Sequence, residues 1–325
     1  MAYNSRHFTG PFIPMNVYTE FEAFRATHKH CVATIGKYDG LHLGHQHVLK
    51  MLCNKAKAMQ LPSVVILSEP HPDEFFAGEK ASSRLTQFQD KVDFLLDFGV
   101  DAIFRMTFDT ALSSLSAEEF IQVYLVNGLG IRNLIVGDDF RFGKNRSGDF
   151  DLLEAKGKEF GFDVIREKPW MQNNQRISST IVRDQLQAGD CEAVRSLLGR
   201  YYSIGGKVIS GKKLGRELGT PTANIELNVS KLPLQGIFSV LVKLGDRQLQ
   251  GVASIGFNPT VNKDSIPRLE VYIFDFDEDI YGEHLTVSFV EKLRDEEEYP
   301  DLEALKNQIQ LDIKQAKYSL AAIHN

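Results

Sequence analysis

The period of the hydrophobic pattern changes once along this chain, and that change limits it to a fold of two parts. From Cys31 to about Phe160, short β-rich runs (Cys31 to Ile35, Ser63 to Ser68, Ala102 to Met106 and Asn133 to Val136) alternate with amphipathic helical stretches. Such alternation gives a parallel sheet covered by helices, a Rossmann-like α/β domain. After about Gly189 glycine recurs, and Ser203 to Ile209, Ile237 to Leu244, Gln248 to Ile255, Leu269 to Phe274 and Leu285 to Phe289 read as strands separated by turns. That is the pattern of an antiparallel β-barrel. Pro300 followed by Leu302, Leu305, Ile309 and Ile313 describes a C-terminal helix, with acidic residues where the helix dipole favours them. The 325 residues suit two domains, divided near Ala188 and Gly189 into residues 15–187 and 188–325.

Composition narrows the function classes. With 43% hydrophobic and 25% charged residues the chain can bury two cores and is not disordered. A net charge of −6 argues against a broad electrostatic footprint for nucleic acid, which rests on Lys and Arg neutralising phosphates. Cys31, Cys53 and Cys191 are odd in number, far apart and outside any C-x-x-C pair, so they read as packing residues of a reducing compartment. Met1 to Pro14 lacks the long apolar run of a signal peptide and reads as a flexible tail. No stretch reaches the ~18 apolar residues of a membrane span. The expectation is a cytoplasmic enzyme acting on small molecules, with no nucleic-acid or membrane partner, as a monomer or weak homo-oligomer.

The run Gly36-Lys37-Tyr38-Asp39-Gly40-Leu41-His42-Leu43-Gly44-His45 stands between the first strand and the helix carrying Val48, Leu49, Leu52, Ala56 and Met59. α/β sheets bind ligands at such a junction. Glycines let backbone approach a phosphate, the helix start supplies free N–H groups, and His42 and His45 can donate hydrogen bonds to phosphate oxygens. His42 and His45 also fit capping or core histidines; a metal site with His47 is a weaker fit, because no acidic or Cys ligand is fixed beside them. Ser68-Glu69-Pro70-His71-Pro72 and Val136-Gly137-Asp138-Asp139-Phe140-Arg141 follow two further strands at the same sheet edge. Arg176 to Arg183 brings Ser178, Ser179 and Thr180 to a helix start with Arg183 one turn on, an arrangement that can hold a triphosphate or simply cap a helix.

In this order these segments resemble the H-x-G-H nucleotidyltransferases, and in detail the adenylyltransferase module of bacterial bifunctional riboflavin kinase/FAD synthetases. The resemblance implies that an FMN phosphate attacks the α-phosphorus of ATP and pyrophosphate leaves. His42 and His45 would stabilise charge at that phosphorus, Ser178, Ser179, Thr180 and Arg183 would hold the leaving phosphates, and Gly36, Asp39, Gly44, Pro70 and Asp138 would complete the binding set. The chain departs from the family's Gly-Asn-Phe-Asp-Gly at Lys37 and Tyr38, and Lys37 adds a charge beside the phosphates.

In the second half, Gly206 to Lys212 matches a P-loop by letter, but Lys213 stands where Ser or Thr is needed and no helix follows, so that reading is rejected. The run Gly215-Arg216-Glu217-Leu218-Gly219-Thr220-Pro221-Thr222-Ala223-Asn224 instead offers hydroxyl and amide oxygens that hard cations accept, though Pro221 to Asn224 also reads as a surface turn. Glu270 is a single acid in the apolar strand around Leu269 to Ile273, where a carboxylate is costly without a partner or a task. With Ile255 to Thr260, Tyr281-Gly282 and Leu293-Arg294, these segments resemble the riboflavin kinase module. The resemblance implies Glu270 as the base for the ribityl 5′-hydroxyl, Thr222 and Asn224 as Mg2+ residues, and a loop from Gly211 to Gly219 closing over ATP. Gly211, Gly215, Arg216, Gly219, Pro221, Asn258 and Arg294 join the binding set. Thr220 and Tyr272 depart from the family's Phe and His.

The expected activity is ATP- and Mg2+-dependent conversion of riboflavin to FMN and of FMN to FAD. The competing readings are a chain retaining only FMN adenylylation and a non-catalytic flavin-binding protein.

Overall fold

The N-terminal run of alternating elements forms one parallel sheet. The computed structural model describes residues 16–172, 175–211, 215, 219–227, 229, 231–257 and 267–323, so Met1 to Pro14, read as a tail, and Arg216 and Asn258, placed in the binding set, lie outside the described residues. Strands β1 (Val17–Tyr18), β2 (Cys31–Ile35), β3 (Ser63–Glu69), β4 (Ala102–Thr107), β5 (Ile131–Gly137) and β6 (Asp163–Glu167) pair in the order β1-β4-β3-β2-β5-β6, every pair parallel. The buried run Val64 to Leu67 shows why the central strands read as continuous apolar stretches. Helices α1 (Phe21–Thr27), α2 (Leu43–Met59), α3 (Pro72–Ala77), α4 (Phe88–Asp97), α5 (Thr110–Ser114), α6 (Ala117–Phe120) and α7 (Phe150–Phe160) connect the strands, with a π-helix at Ile121–Gly128. Phe24, Ile66, Phe104, Phe120 and Leu134 share one apolar cluster. β2 has β3 on one side and β5 on the other, so the strand order reverses there and the carboxyl ends of β2 and β5 form the switch-point crevice where open α/β sheets bind ligands.

The C-terminal half closes on itself. After the short hairpin β7 (Met171–Gln172) and β8 (Gln175–Arg176) come α8 (Ser179–Ala188) and α9 (Cys191–Leu198), then β9 (Tyr202–Ile209), β10 (Ala223–Ile225), β11 (Gly236–Leu244), β12 (Arg247–Phe257), β13 (Pro267–Ile273), β14 (His284–Arg294) and α10 (Leu302–Ala321). β9 to β14 make a closed antiparallel barrel in the order β10-β13-β12-β11-β14-β9. Closure removes sheet edges. Val208, Ile225, Phe238, Val240, Ala253, Leu269, Val271, Val287 and Phe289 lie in its core cluster. Asp301 caps α10 by accepting from the Ala304 N–H at 2.8 Å, which places Pro300 just outside the helix, and Ala316 and Leu320 pack with Leu241 and Phe274. Gly206 sits inside β9, where a Cβ would meet the Glu226 carbonyl oxygen at 2.3 Å, so it serves close backbone packing and belongs to no phosphate loop.

By packing, the chain divides into a unit of residues up to Tyr38, Gln46–Ala81 and Val92–Pro169 and a second of Asp39–His45, Ser82–Lys91 and Trp170 onward. Cys31 and Cys191 are buried and Cys53 is half-buried; all three are free thiols, and burial pushes Cys31 up to about 12. Among the described residues no helix is long and apolar enough to cross a membrane.

Candidate active sites

The segment after β2 is built around Asp39. Its carboxylate is almost fully buried, accepts the backbone N–H groups of Leu85 (3.0 Å) and Thr86 (3.1 Å), and pairs with the Arg183 guanidinium. Arg183 also donates from Nε to the Ser83 carbonyl at 2.6 Å. Gly40 and Leu41 take positive φ values of 83° and 48°, and a Cβ on Gly40 would lie 2.7 Å from Leu85 Cδ1, so this turn needs glycine twice over. The Gly40 N–H donates to Thr86 Oγ1 at 3.0 Å and its carbonyl accepts from Arg200 Nη2 at 3.1 Å.

His42 then caps α2. Its Nδ1 accepts the His45 backbone N–H at 3.3 Å, the geometry of an N-cap side chain bonding the third helical residue. The His45 ring stacks on the His42 ring with centroids 3.7 Å apart. Gly44 makes room, since a Cβ there would stand 3.2 Å from the His42 ring. Burial pushes His42 down from 6.5 to about 4, and burial, His42 and then Lys91 hold His45 well below its ordinary value. Both rings are therefore neutral near pH 7. With Nδ1 of His42 accepting, the ring proton sits on Nε2, a donor for a phosphate oxygen. Capping and phosphate binding are thus compatible roles for the same ring.

α8 carries the hydroxyl run. Ser178 is its N-cap, accepting from the Ile181 N–H at 3.4 Å, Ser179 Oγ donates to the Asp39 carbonyl at 2.8 Å, and Thr180 is exposed. Asp39, His42, Gly44, His45, Ser178, Ser179 and Arg183 are thus assembled in one unit, with Arg183 bracing Asp39. The structure adds Thr86 and Arg200 to that group. Neither belongs to a motif, and no local signal marks them.

In the sheet unit, Gly36 ends the β2 segment, Pro70 follows β3 across a cis peptide bond, and Asp138 follows β5, exposed, with its N–H donating to the Glu167 carbonyl at 3.1 Å. Lys37 pairs with Asp73 of α3. Tyr38 is buried and its hydroxyl bonds Thr34 Oγ1 at 2.7 Å. His47 meets Glu167 at 3.2 Å rather than forming a metal set, and among the described residues no group of three His, Cys, Asp or Glu could hold a metal.

In the barrel, Pro221 to Asn224 is no mere turn: Ala223–Ile225 is β10, and Asn224 stands directly opposite Glu270 of β13. Thr222 Oγ1 donates to Glu270 Oε2 at 3.3 Å, and Arg268 Nη1 donates to Oε1 at 2.6 Å. Glu270 does not share the face of Leu269 and Val271. It lies on the alternate, half-buried face, so the desolvation expected from an apolar strand is replaced by two polar partners. Gly211 lies under Asn224, where a Cβ would come within 2.3 Å of the amide nitrogen. Gly215 accepts the Thr220 N–H at 2.8 Å, Gly219 has φ 77°, and Pro221 is exposed. Hydroxyl, amide and carboxylate oxygens on two neighbouring strands suit a hard, oxygen-seeking cation such as Mg2+. Arg294 stands apart from this cluster, forming a two-pronged pair with Asp312 of α10 at 2.9 and 2.7 Å. Tyr272 packs edge-on against Phe274 in the cluster under α10, and Thr220 is buried.

A family model for FAD synthetase matches residues 24–181, and one for riboflavin kinase matches residues 198–320. A protein from Pseudomonas fluorescens named bifunctional riboflavin kinase/FMN adenylyltransferase is 44% identical over 92% of this chain and 95% of its own length. The chain belongs to the bifunctional riboflavin kinase/FMN adenylyltransferase family. A family member of the same name from Haemophilus influenzae is 42% identical over 88% of this chain and 93% of its own. Among solved structures, one described as a macrolide-efflux protein from Streptococcus pneumoniae superposes with a TM-score of 0.76 at 26% identity, covering 91% of this chain and 96% of that one. Its fold therefore runs the length of both chains, whatever its name says of its own role.

Proposed function

We propose that this chain phosphorylates riboflavin to FMN and transfers AMP from a second ATP to FMN, giving FAD and pyrophosphate. The observation that carries the reading is the pairing of each family match with its own assembled cluster. Thr222, Asn224 and Glu270 lie on adjacent strands of the kinase-matched barrel, and the stacked His42–His45 pair lies in the FAD synthetase match.

In the kinase reaction Glu270 takes the proton of the ribityl 5′-hydroxyl as that oxygen attacks the γ-phosphorus and ADP leaves. Arg268 and Thr222 orient the carboxylate. Thr222 and Asn224 would hold a Mg2+ ion, which would supply charge neutralisation on the transferring phosphates. In the second reaction an FMN phosphate oxygen attacks the α-phosphorus of ATP and the bond to pyrophosphate breaks. Neutral His42, donating from Nε2, and His45 stabilise the charge developing on that phosphorus, without the proton transfer a cationic ring would invite. The start of α8, with Ser178, Ser179 and Thr180, receives the pyrophosphate end of ATP.

The functional boundary falls between residues 187 and 188, and the protein works in the cytoplasm on small molecules, as a monomer or weak homo-oligomer. Of the two family departures on the kinase side, Tyr272 serves packing under α10 and Thr220 is buried, and neither supplies the proposed base. The test follows flavins by chromatography from riboflavin or from FMN, with ATP and Mg2+. Glu270→Ala should abolish FMN formation and spare FAD formation from supplied FMN, and His45→Ala should do the reverse. Equal loss of both products in each variant would overturn the assignment.

A further inference from the structure

The turn that aims His42 is held from a direction its own motif does not supply. Gly40 and Leu41 both take positive φ, free for the glycine but, for Leu41, a strained conformation that persists only where surrounding contacts over-determine it. Contacts from within the FAD synthetase match hold the turn: Leu85 and Thr86 on the Asp39 carboxylate, Ser179 on the Asp39 carbonyl, and Thr86 on the Gly40 N–H. Beyond that match Arg183 pairs with the Asp39 carboxylate, and the Arg200 guanidinium donates to the Gly40 carbonyl; Arg200 lies within the riboflavin kinase match, which begins at residue 198.

We propose that Arg200 is a positioning residue for adenylyl transfer, supplied by the kinase half of the chain to fix the Gly40 carbonyl two residues before His42. The inference rests on the reading of His42 and His45 given above and deepens it. Arg200 is half-buried, and burial lowers it to about 10, so it remains a cation at neutral pH and holds the carbonyl by a charge-assisted bond. Strand β9, which begins two residues after Arg200, secures the segment that anchors Asp39. Tyr202 Oη donates to the Leu85 carbonyl at 2.8 Å, Gln87 Nε2 donates to the Gly205 carbonyl at 2.6 Å, and the Gly205 N–H donates to Asp90 at 3.1 Å. A Cβ on Gly205 would lie 2.4 Å from Asp90 Oδ1, so glycine there permits the approach. The first barrel strand and Arg200, two residues before it, thus act as a splint for the turn carrying the two histidines.

The experiment uses the full-length protein with Arg200→Met, Arg200→Lys, Tyr202→Phe and His45→Ala, assayed for FAD from FMN and for FMN from riboflavin. Arg200→Met should lower kcat for FAD formation about 10- to 100-fold with KM values within about threefold, because a shift of about 1 Å in a reacting group costs rate rather than binding. Arg200→Lys should recover part of that loss, and the kinase rate should not change. Tyr202→Phe, which removes only a hydroxyl, should show a smaller loss in the same kcat and serves if Arg200→Met does not fold. Unchanged FAD kcat in Arg200→Met, or in Tyr202→Phe where it stands in, overturns the inference, as does parallel loss of both activities without rescue by Lys. Unimpaired His45→Ala would instead overturn the underlying reading of the histidines.

Discussion

The imidazole of His45 lies flat against that of His42, ring planes 14° from parallel and centroids 3.7 Å apart. Two imidazolium ions could not share that spacing in a buried setting, since each would be desolvated and would repel the other's like charge. The stack therefore works as a pair of neutral hydrogen-bonding groups. Attraction for the triphosphate falls to the helix starts and to cations outside the pair.

Neutrality at His42 has a consequence for stability. In the unfolded chain the ring binds its proton near 6.5, whereas the folded chain does so only near about 4, so between those values unfolding takes up a proton. Stability thus rises with pH across that window, is complete above about 6.5, and is lost as pH falls toward about 4, by on the order of 3 kcal/mol. Urea unfolding of the wild type should show this rise. His42→Asn keeps a capping side chain but cannot titrate, and its midpoint should change less across the window. Equal slopes in the two proteins would mean that other groups carry the pH dependence.

Asp39 and Arg183 form a buried pair whose breakage should be costly. In Asp39→Asn the amide accepts fewer bonds from Leu85 and Thr86, and Arg183 loses its counter-ion. Removing one partner of a buried ion pair typically costs about 3–5 kcal/mol, read here as a fall in the denaturant midpoint. FAD formation should drop with it while kinase activity in the folded fraction persists. Adding Arg183→Met should restore part of the stability and none of the FAD formation. Restoration of both would mean that Asp39 and Arg183 matter only to folding.

Much of this was legible in the sequence because it was encoded locally. The four β-rich runs from Cys31 to Val136 became β2 to β5, and the five later runs became β9 and β11 to β14, since short apolar runs in the first set and β-rich runs between turns in the second need no distant information. Glycines, histidines and a caps-rich helix start marked the first cluster for the same reason. β6 was missed because Asp163–Glu167 is polar and half-exposed at a sheet edge. β10 was missed because Pro, Thr and Asn carry turn chemistry, and only pairing with β9 and β13 makes Ala223–Ile225 a strand. Thr86 and Arg200 lie 46 and 160 residues from Gly40 in sequence, so tertiary folding alone reveals them. Arg294 was legible as a member of a motif but not as the partner of Asp312, which the C-terminal helix packed against the barrel supplies.

That partnership changes what Arg294 is expected to do. Asp312 is 4% exposed and takes both prongs of the guanidinium, with Gln308 donating to the same oxygen at 2.9 Å. Arg294→Met leaves the carboxylate buried without its counter-ion, at about 3–5 kcal/mol. The loss should appear in the thermal or denaturant midpoint, while KM for ATP and riboflavin in the folded protein stays near wild type. A raised KM with unchanged stability would instead make Arg294 a ligand contact. Pairing Arg294→Met with Asp312→Leu should recover most of the stability.

Gly211→Ala offers the sharpest probe of the kinase cluster, because it touches the site through one atom. The added methyl would sit 2.3 Å from the Asn224 amide nitrogen, so the amide must swing away from its place opposite Glu270. A short side-chain tip can move without disturbing the barrel, so the stability cost should stay at the low end of the about 1–3 kcal/mol typical of overpacking. Function should suffer more: displacement of a positioning group by about 1 Å is worth up to about 100-fold in rate. FMN formation should therefore fall about 10- to 100-fold and need more Mg2+ for half-maximal rate, whereas FAD formation from supplied FMN should be untouched. An Ala variant with wild-type kinase kinetics and Mg2+ dependence would show that the amide of Asn224 has no part in placing the nucleotide, and would leave Thr222 and Glu270 to do it alone.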